Sequence, residues 1–459
     1  MKVRFWGGCR TVTGSKHLLT AGRHQLLLEC GLFQGHRDLA EHTNRHLPFK
    51  AREIDDCVVS HAHIDHVGNV PNLVKHGFRG TILVTNGTLA LARVLLLDSA
   101  SIQESDIRYL NKKRRERGEP TKEPVYTVAD AQESLRYFRG TRYAKPQRLG
   151  PFSVVLHDAG HILGSALVDI EVEGRRLLFT GDLGRRKMPI IRDPVQVDQA
   201  DYLIMEATYG DRVHTDYSQV ADRLAAIVNR VYSRGGRIIV PAFAVERSQE
   251  IVYTLNRLRQ NSMIPEVPVF VDSPLAASVT EVFRSFPQYY DDEAMAVLAG
   301  HDEPFDFPGL SYVASVEESK ALNDFAGPCI IISASGMCEA GRVLHHLKHA
   351  VSDKRNLVLL VSFQADGTLG RRIAERQPRV RIYGEEYDLR CEVEVMNEFS
   401  AHADRDGLLE YVARMNLPRL KKVFLVHAET GAAEAMRQAL VELGAREVII
   451  PETGDEHEL

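Results

Sequence analysis

The chain has 459 residues, more than the roughly 100–200 of a typical single domain, so its length predicts two domains. Hydrophobic residues make up 44% and charged residues 26%, a balance that excludes a disordered or membrane-embedded chain. The net charge of −5 excludes a general attraction to polyanions, so any such contact must be local.

The N-terminal segment lacks the apolar stretch of a secretory signal, and no stretch of about 18 residues is free of charge and apolar enough to span a membrane. We therefore expect a cytoplasmic protein with no membrane partner. Six cysteines lie apart with no CxxC pair, which predicts core positions rather than disulfides or a zinc ribbon. The densest basic segment, residues 112–117, is expected to be a solvated helix end.

The first part of the chain alternates short apolar runs with glycine-rich turns, which predicts strands. Helical periodicity follows over residues 89–104 and 128–138, so this part is expected to be α/β. The predicted strands are 3–6, 17–20, 25–29, 57–60, 152–156, 166–172 and 176–180.

From residue 209 onward strands and helices alternate regularly, which is typical of a doubly wound parallel sheet. The predicted strands are 237–240, 267–271, 329–333, 357–361 and 380–383, with helices over 217–233, 248–258 and 341–349. After residue 391 we expect strands 392–395 and 422–426 and helices 406–415 and 431–443. The absence of a low-complexity linker favours an inserted domain over two domains in series.

The strongest chemical signal is the segment His61-Ala62-His63-Ile64-Asp65-His66, directly after an apolar strand. Side chains at i and i+2 of an extended segment share a face, so His61 and His63 can hold one cation. Asp65 and His66 then turn toward a second position. Imidazole and carboxylate ligands suit zinc, and a site with an open position suits catalysis.

HxHxDH resembles the signature of the metallo-β-lactamase superfamily, and further segments match it in order. His161 lies in Asp158-Ala159-Gly160-His161, and Asp182 ends Phe179-Thr180-Gly181-Asp182. The usual first-motif aspartate is replaced by Glu29, one methylene longer, in Leu28-Glu29-Cys30-Gly31. The resemblance implies that Glu29 orients metal ligands without binding the metal.

Later segments resemble the β-CASP ribonuclease family of that superfamily. They are Met205-Glu206-Ala207-Thr208-Tyr209-Gly210, Phe399-Ser400-Ala401-His402-Ala403-Asp404 and Val426-His427-Ala428-Glu429, where Ala428 replaces a usual glycine. The resemblance implies an α/β fold, an αββα metallo-β-lactamase sandwich with an inserted β-CASP domain of parallel sheet flanked by helices. The active site would lie in the cleft between them. We expect the sandwich in residues 1–207 and 391–459 and the insertion in 208–390.

The resemblance also implies two Zn²⁺ ions per chain and a shared hydroxide that attacks phosphorus. His402, steadied by Glu206, would protonate the leaving 3′ oxygen, and Asp65 and Asp182 would act as catalytic carboxylates. One zinc would be held by His61, His63, His161 and Asp182, and the second by Asp65, His66, Asp182 and His427.

Two loops are candidates for binding the RNA backbone, residues 333–337 and 367–372, because small residues there let backbone N–H groups approach a phosphate. The candidate residues are Ser335, Gly336, Thr368 and Arg371. The neighbouring pair His345 and His346 is expected to be structural.

The expected function is that of a zinc-dependent endoribonuclease that acts on single-stranded RNA in RNA processing or decay. The chain resembles bacterial and archaeal relatives of the endonuclease subunit of the mRNA 3′-end cleavage and polyadenylation specificity factor. An accompanying exonuclease activity and a homodimer stay open. Two alternatives lie within the family. RNase J is the nearest, but it normally carries a further C-terminal domain. DNA-directed β-CASP nucleases are less favoured, because they usually lack the last histidine, which is His427 here. Two alternatives from other classes are a thioester or lactam hydrolase and a non-catalytic RNA-binding scaffold. About 195 residues separate Glu206 from His402, more than a small substrate needs, and a scaffold would have lost metal ligands.

Overall fold

The computed structural model describes residues 1–35, 37–362, 364 and 367–459. It divides into two compact units. The first comprises residues 1–186, 193–213 and 402–459, and the second comprises residues 187–192 and 214–401.

The described residues of the first stretch of the chain form eleven strands and five α-helices of the first unit. The strands are β1 Lys2–Gly7, β2 Lys16–Ala21, β3 His24–Leu28, β4 Asp56–Val58, β5 Thr81–Thr85, β6 Phe138–Thr141, β7 Gln147–Leu149, β8 Phe152–Asp158, β9 Ala166–Val172, β10 Arg175–Phe179 and β11 Tyr202–Glu206. The helices are α1 Arg37–Arg45, α2 Ile64–Val67, α3 Val70–Lys75, α4 Asn86–Glu116 and α5 Val128–Ser134.

The second unit follows with seven α-helices and eight strands in the part of it that is described. The helices are α6 Val220–Ser233, α7 Arg247–Gln260, α8 Pro274–Ser285, α9 Asp292–Ala299, α10 Val316–Ala321, α11 Val343–Ala350 and α12 Leu369–Ala374. The strands are β12 Arg237–Pro241, β13 Val269–Asp272, β14 Leu310–Tyr312, β15 Cys329–Ser333, β16 Leu357–Leu360, β17 Arg379–Ile382, β18 Glu385–Asp388 and β19 Glu392–Val395.

The C-terminal stretch returns to the first unit, where it adds strands to both sheets and forms one helical layer. Its longest helix, α14 Thr430–Leu443, is followed by Gly444, whose positive φ of 105° is the left-handed conformation that glycine adopts without strain. The elements are α13 Arg405–Ala413, β20 Lys422–Val426, α14 Thr430–Leu443, β21 Val448–Ile449 and β22 Glu456–Glu458.

The first unit contains two seven-stranded sheets, ordered β22-β1-β2-β3-β4-β5-β6 and β21-β20-β11-β10-β9-β8-β7. Apolar side chains of both sheets meet in one core cluster that includes Phe5, Phe179 and Phe424. The outer face of the first sheet packs on α3 and α4, and that of the second packs on α13 and α14. The unit is therefore layered as helix, sheet, sheet and helix.

The second unit is built on a six-stranded sheet in the order β14-β13-β15-β12-β16-β19, and all of its pairings are parallel. One expectation was wrong here. The strand at residues 380–383 does not continue this sheet, because β17 pairs antiparallel with β18 in a separate hairpin.

The six cysteines are all buried and unpaired, as expected. Among the helices of the described residues, none combines the length and the apolar character that crossing a membrane requires.

Candidate metal centre and active site

Three neighbouring parallel strands of the second sheet bring acidic and imidazole side chains to one edge. β11 pairs with β10 on one side and with β20 on the other, all parallel. Asp182 follows the end of β10, Glu206 is the last residue of β11, and His427 follows β20 directly. Carboxyl ends of parallel strands share one edge of a sheet, so the three side chains converge.

The other ligand candidates come from loops that follow β4 and β8. His61 and His63 occupy the loop between β4 and α2, and His63 is the residue that precedes α2. Asp65 and His66 lie in that short helix. His161 follows β8, where the Ser165 hydroxyl accepts a hydrogen bond of 3.0 Å from its backbone N–H.

Four side chains form a first donor group, whose atoms lie within 4.8 Å of one another: His61, His63, His161 and Asp182. The Nδ1 atom of His63 is 3.0 Å from Nε2 of His61 and 3.2 Å from Nε2 of His161. Asp182 Oδ2 lies 3.4 Å and 3.6 Å from these two Nε2 atoms.

Asp65, His66 and His427 form a second donor group. His427 Nε2 lies 3.1 Å from Asp65 Oδ2 and 3.2 Å from His66 Nε2. The second carboxylate oxygen of Asp182, Oδ1, lies 3.4 Å from His66 Nε2. Asp182 therefore presents one oxygen to each group.

These distances fit metal ions in both groups. Ligand bonds of about 2.0–2.1 Å place tetrahedral ligand atoms about 3.3 Å apart, and the measured separations are 3.0–3.7 Å. The Oδ1 atom of Asp182 is buried and has no hydrogen-bond partner among the described residues, as expected of an atom that meets a cation. Imidazole nitrogens and carboxylate oxygens are donors that suit transition-metal ions, zinc among them.

Protonation also favours metal binding by the first group. Burial lowers the pKa of His61 to about 3 and that of His63 to about 4, and holds the pKa of His161 well below its ordinary value. These imidazoles are therefore neutral and able to donate a lone pair. Burial also opposes protonation of His66, but Asp182 and Asp65 outweigh it and raise the pKa of His66 well above its ordinary value.

His402 lies beside the donor groups and is held by Glu206. Its Nδ1 is 3.0 Å and 3.1 Å from the two carboxylate oxygens, and its ring packs against His161 with centroids 4.5 Å apart. Burial lowers the pKa of His402, but the carboxylate of Glu206 dominates and raises it to about 9. Asp182, Glu206 and His402 also form a third group of potential metal ligands.

Glu29 lies next to His66 of the second donor group. Its Oε1 accepts a 2.7 Å hydrogen bond from the backbone N–H of Ser60, and its Oε2 lies 3.3 Å from His66 Nδ1, without the alignment of a hydrogen bond. Glu29 is fully buried and adopts a positive φ of 63°, a left-handed conformation that is uncommon outside glycine. Burial raises the pKa of this carboxyl above its ordinary value.

The sequence reasoning missed two residues that orient site histidines. Ser60 Oγ lies 2.9 Å from His61 Nδ1. Thr208 Oγ1 donates to a Glu206 oxygen and lies 3.1 Å from His427 Nδ1. Thr208 stands within the motif 205–210, so its spacing from Glu206 was a usable signal, whereas Ser60 had none beyond its position before His61.

The four candidates for RNA binding lie in the second unit, and the side chains of Ser335, Thr368 and Arg371 have local contacts. The Ser335 hydroxyl accepts from the Glu339 N–H at 3.1 Å, and the Thr368 hydroxyl accepts from the Arg371 N–H at 3.1 Å. The Arg371 guanidinium pairs with Glu375 at 2.6 Å. The two loops touch each other, since the Gly370 N–H donates to the Met337 carbonyl at 3.1 Å.

Comparisons with known proteins agree with this architecture. The metallo-beta-lactamase superfamily matches residues 17–236, the Beta-Casp domain matches 248–373, and the Zn-dependent metallo-hydrolase RNA specificity domain matches 386–451. The expected fold, a metallo-β-lactamase domain with an inserted β-CASP domain, is confirmed.

Relatives match over almost the entire chain. Ribonuclease TTHA0252 of Thermus thermophilus is 37% identical over 99% of both chains. Transcription termination factor FttA of Methanosarcina mazei is 31% identical over 94% of this chain and 67% of its own. A crystal structure of a protein of unknown function from Enterococcus faecalis V583 covers 100% of this chain and 99% of its own, with a TM-score of 0.58 and 15% identity, which shows a shared fold. The chain therefore belongs to the β-CASP ribonuclease family of the metallo-β-lactamase superfamily.

Proposed function

We propose that this protein is an endoribonuclease that hydrolyses phosphodiester bonds of single-stranded RNA with two zinc ions. The observation that carries the proposal is the pair of donor groups joined by Asp182, with the His402–Glu206 pair beside them. The name of the 37% identical relative, a ribonuclease, supports RNA as the substrate.

The first ion would be held by His61, His63, His161 and Asp182, and the second by Asp65, His66, Asp182 and His427. Bound zinc supplies Lewis acidity to the phosphoryl oxygens and lowers the pKa of water to about 7.

The chain's own residues would then arrange the reaction around that centre. Asp65 and Asp182 would place their oxygens 3.1–3.7 Å from the nitrogens of His66 and His427, so that carboxylates and imidazoles face the same ion. His402 points Nδ1 at Glu206, which leaves Nε2 to carry a proton toward the leaving 3′ oxygen. The imidazole can donate at neutral pH because the carboxylate stabilises its protonated form.

Glu29 would act as a positioning residue. Its carboxylate lies 3.3 Å from His66 Nδ1, so its charge would favour an N–H at Nδ1 and leave Nε2 of His66 for the metal. In the second unit, the loops of Ser335, Gly336, Thr368 and Arg371 would hold the RNA backbone. Since the Ser335 and Thr368 hydroxyls already accept local hydrogen bonds, we assign this role chiefly to the backbone.

Cleavage of matched single-stranded RNA and DNA, each labelled at one end, tests the proposal. We expect internal RNA products, a clear preference for RNA over DNA, and weaker binding as salt rises, because phosphate contacts release counterions. The matched controls are His63→Ala, which removes a ligand candidate, and His349→Ala, a histidine of α11 outside the donor groups. Equal cleavage of DNA, or RNA cleavage by His63→Ala at the wild-type rate, would contradict the proposal. Hydrolysis of thioester or lactam substrates without RNA cleavage would favour a small-molecule hydrolase instead.

A further inference from the structure

The parallel sheet of the second unit reverses its winding direction between β12 and β15. From β12 the chain crosses through α7 to β13, past β15, whereas from β15 it crosses through α11 to β16, past β12. In open parallel sheets, ligands bind beyond the carboxyl ends of the strands at such a reversal. The residues that follow the two strands, 242–244 and 334–337, therefore occupy the position where this sheet would bind a ligand.

Phe243 is the exposed apolar residue of this position. It is 41% exposed, although its neighbours Ala242 and Ala244 are 0% and 7% exposed. Its backbone is fixed, because its carbonyl accepts hydrogen bonds from the Ser248 N–H at 3.2 Å and from the Ser248 hydroxyl at 2.8 Å. The preceding residue, Ala242, donates to the carbonyl of Ser333 at 3.0 Å.

One face of the Phe243 ring is covered by the backbone of Gly336. A Cβ atom placed on Gly336 would lie 3.1, 3.2 and 3.3 Å from three consecutive ring carbons, Cδ2, Cε2 and Cγ. Nearly equal distances to three consecutive carbons mean that this position is above the ring face, not at its edge. Any side chain at residue 336 would push the ring away, so the glycine lets backbone support the aromatic face.

We infer that Phe243 is a base-stacking residue, whose second face receives a nucleobase of single-stranded RNA while the adjacent Gly336 loop holds the backbone. A flat and partly exposed ring with one face supported by backbone, beside a loop proposed to hold phosphates, suits single-strand binding, because every base has a π-face that can stack on it. The inference rests on the proposed function and adds a residue that recognises bases rather than phosphates.

Single-turnover cleavage at varied enzyme concentration separates RNA binding from the chemical step. Stacking on one aromatic ring corresponds to roughly 5- to 150-fold in affinity. Phe243→Ala should therefore raise the half-saturating concentration by about this factor and leave the maximal rate within about twofold. Phe243→Tyr should behave like the wild type, and Phe243→Leu, which is apolar but has no ring, should behave like Phe243→Ala.

The stacked base is found with RNAs that carry one abasic residue at successive positions. At one position the abasic RNA should weaken binding to the wild type but not weaken binding to Phe243→Ala any further. Tyr232→Ala, which removes a 39% exposed aromatic of the same unit, is the control and should change nothing.

Failure of the stacking inference and failure of the proposed function would give different results. If the wild type cleaves RNA but Phe243→Ala or Phe243→Leu binds as tightly as the wild type, stacking is refuted and the proposed function stands. If every abasic position weakens wild type and Phe243→Ala equally, the ring does not touch a base. If the wild type neither binds nor cleaves RNA, the proposed function fails and the inference fails with it.

Discussion

Replacing His402 with alanine separates a proton donor from a metal ligand. Both donor groups are complete without His402, so the variant should retain the zinc content of the wild type. The His402 side chain is 20% exposed, whereas those of His61, His66 and His161 are at most 1% exposed, so a substrate can reach it. Loss of general-acid catalysis typically costs about 10²–10⁴-fold in rate, and we expect a fall in that range.

An RNA with sulfur at the bridging 3′ position provides the assay. A thiolate leaves without protonation, so His402→Ala should cleave this substrate at nearly the wild-type rate, whereas His63→Ala should stay inactive on both substrates. Glu206→Gln should resemble a milder His402→Ala, because glutamine still accepts from Nδ1 but provides no negative charge. Loss of zinc from His402→Ala, or an equal defect on the sulfur and oxygen substrates, would refute the role of proton donor.

Three further predictions concern metal content, ligand orientation and stability. Elemental analysis of protein purified without added metal should find about two zinc ions per chain, and one ion at full activity would contradict the two-metal proposal. Glu29→Gln should weaken metal retention by about 10–100-fold in a competition with a chelator, because an amide N–H would face His66 Nδ1. If the variant retained metal as well as the wild type, Glu29 would not orient His66. Asp272 is fully buried and accepts hydrogen bonds from His346 at 2.6 Å, Ser319 at 2.5 Å and Arg342 at 2.7 Å. Asp272→Asn should therefore lower the free energy of unfolding, measured with denaturant, by about 3–5 kcal/mol. Glu266→Gln, at a side chain that is 90% exposed, is the control and should leave it unchanged.

The contribution of Asp272 to the free energy of unfolding should also depend on pH. Burial raises the pKa of Asp272, but hydrogen bonds from His346, Ser319 and Arg342 outweigh it and lower the pKa below its ordinary value. The stabilisation is therefore present above about pH 4 and is lost as the pH falls through the lowered pKa. The stability difference between wild type and Asp272→Asn should shrink in acid, and a difference that grew on acidification would contradict this reasoning.

The sequence predicted elements best where a short apolar run ends at a clear turn. Strands 166–172, 329–333, 392–395 and 422–426 have the predicted bounds. Helix α4 was predicted to end at residue 104, but it continues to Glu116, because its last turns are charged helix formers with no apolar stripe to detect. The error at β17 arose because a strand alternating exposed and buried residues fits a hairpin, and Tyr383-Gly384 supplies the turn with positive φ at both residues.

The candidate site was more predictable than the contacts around it. HxHxDH places four donors within six residues, so local geometry alone gathers them. The approach of Thr208 to His427 joins residues 219 positions apart, and it depends on the pairing of β11 with β20. No local pattern encodes that pairing.

The loops of the second unit imply how selective the proposed enzyme can be. The hydroxyls of Ser335 and Thr368 accept local backbone hydrogen bonds, and the Glu339 carboxylate accepts from the Leu369 N–H at 2.6 Å, at the start of α12. Backbone groups that hold phosphates carry no base information, and stacking on Phe243 accepts any base. Cleavage should therefore vary little with sequence and strongly with single-strandedness. Deep sequencing of products from a randomised RNA library would contradict this if one base were strongly enriched beside the cut.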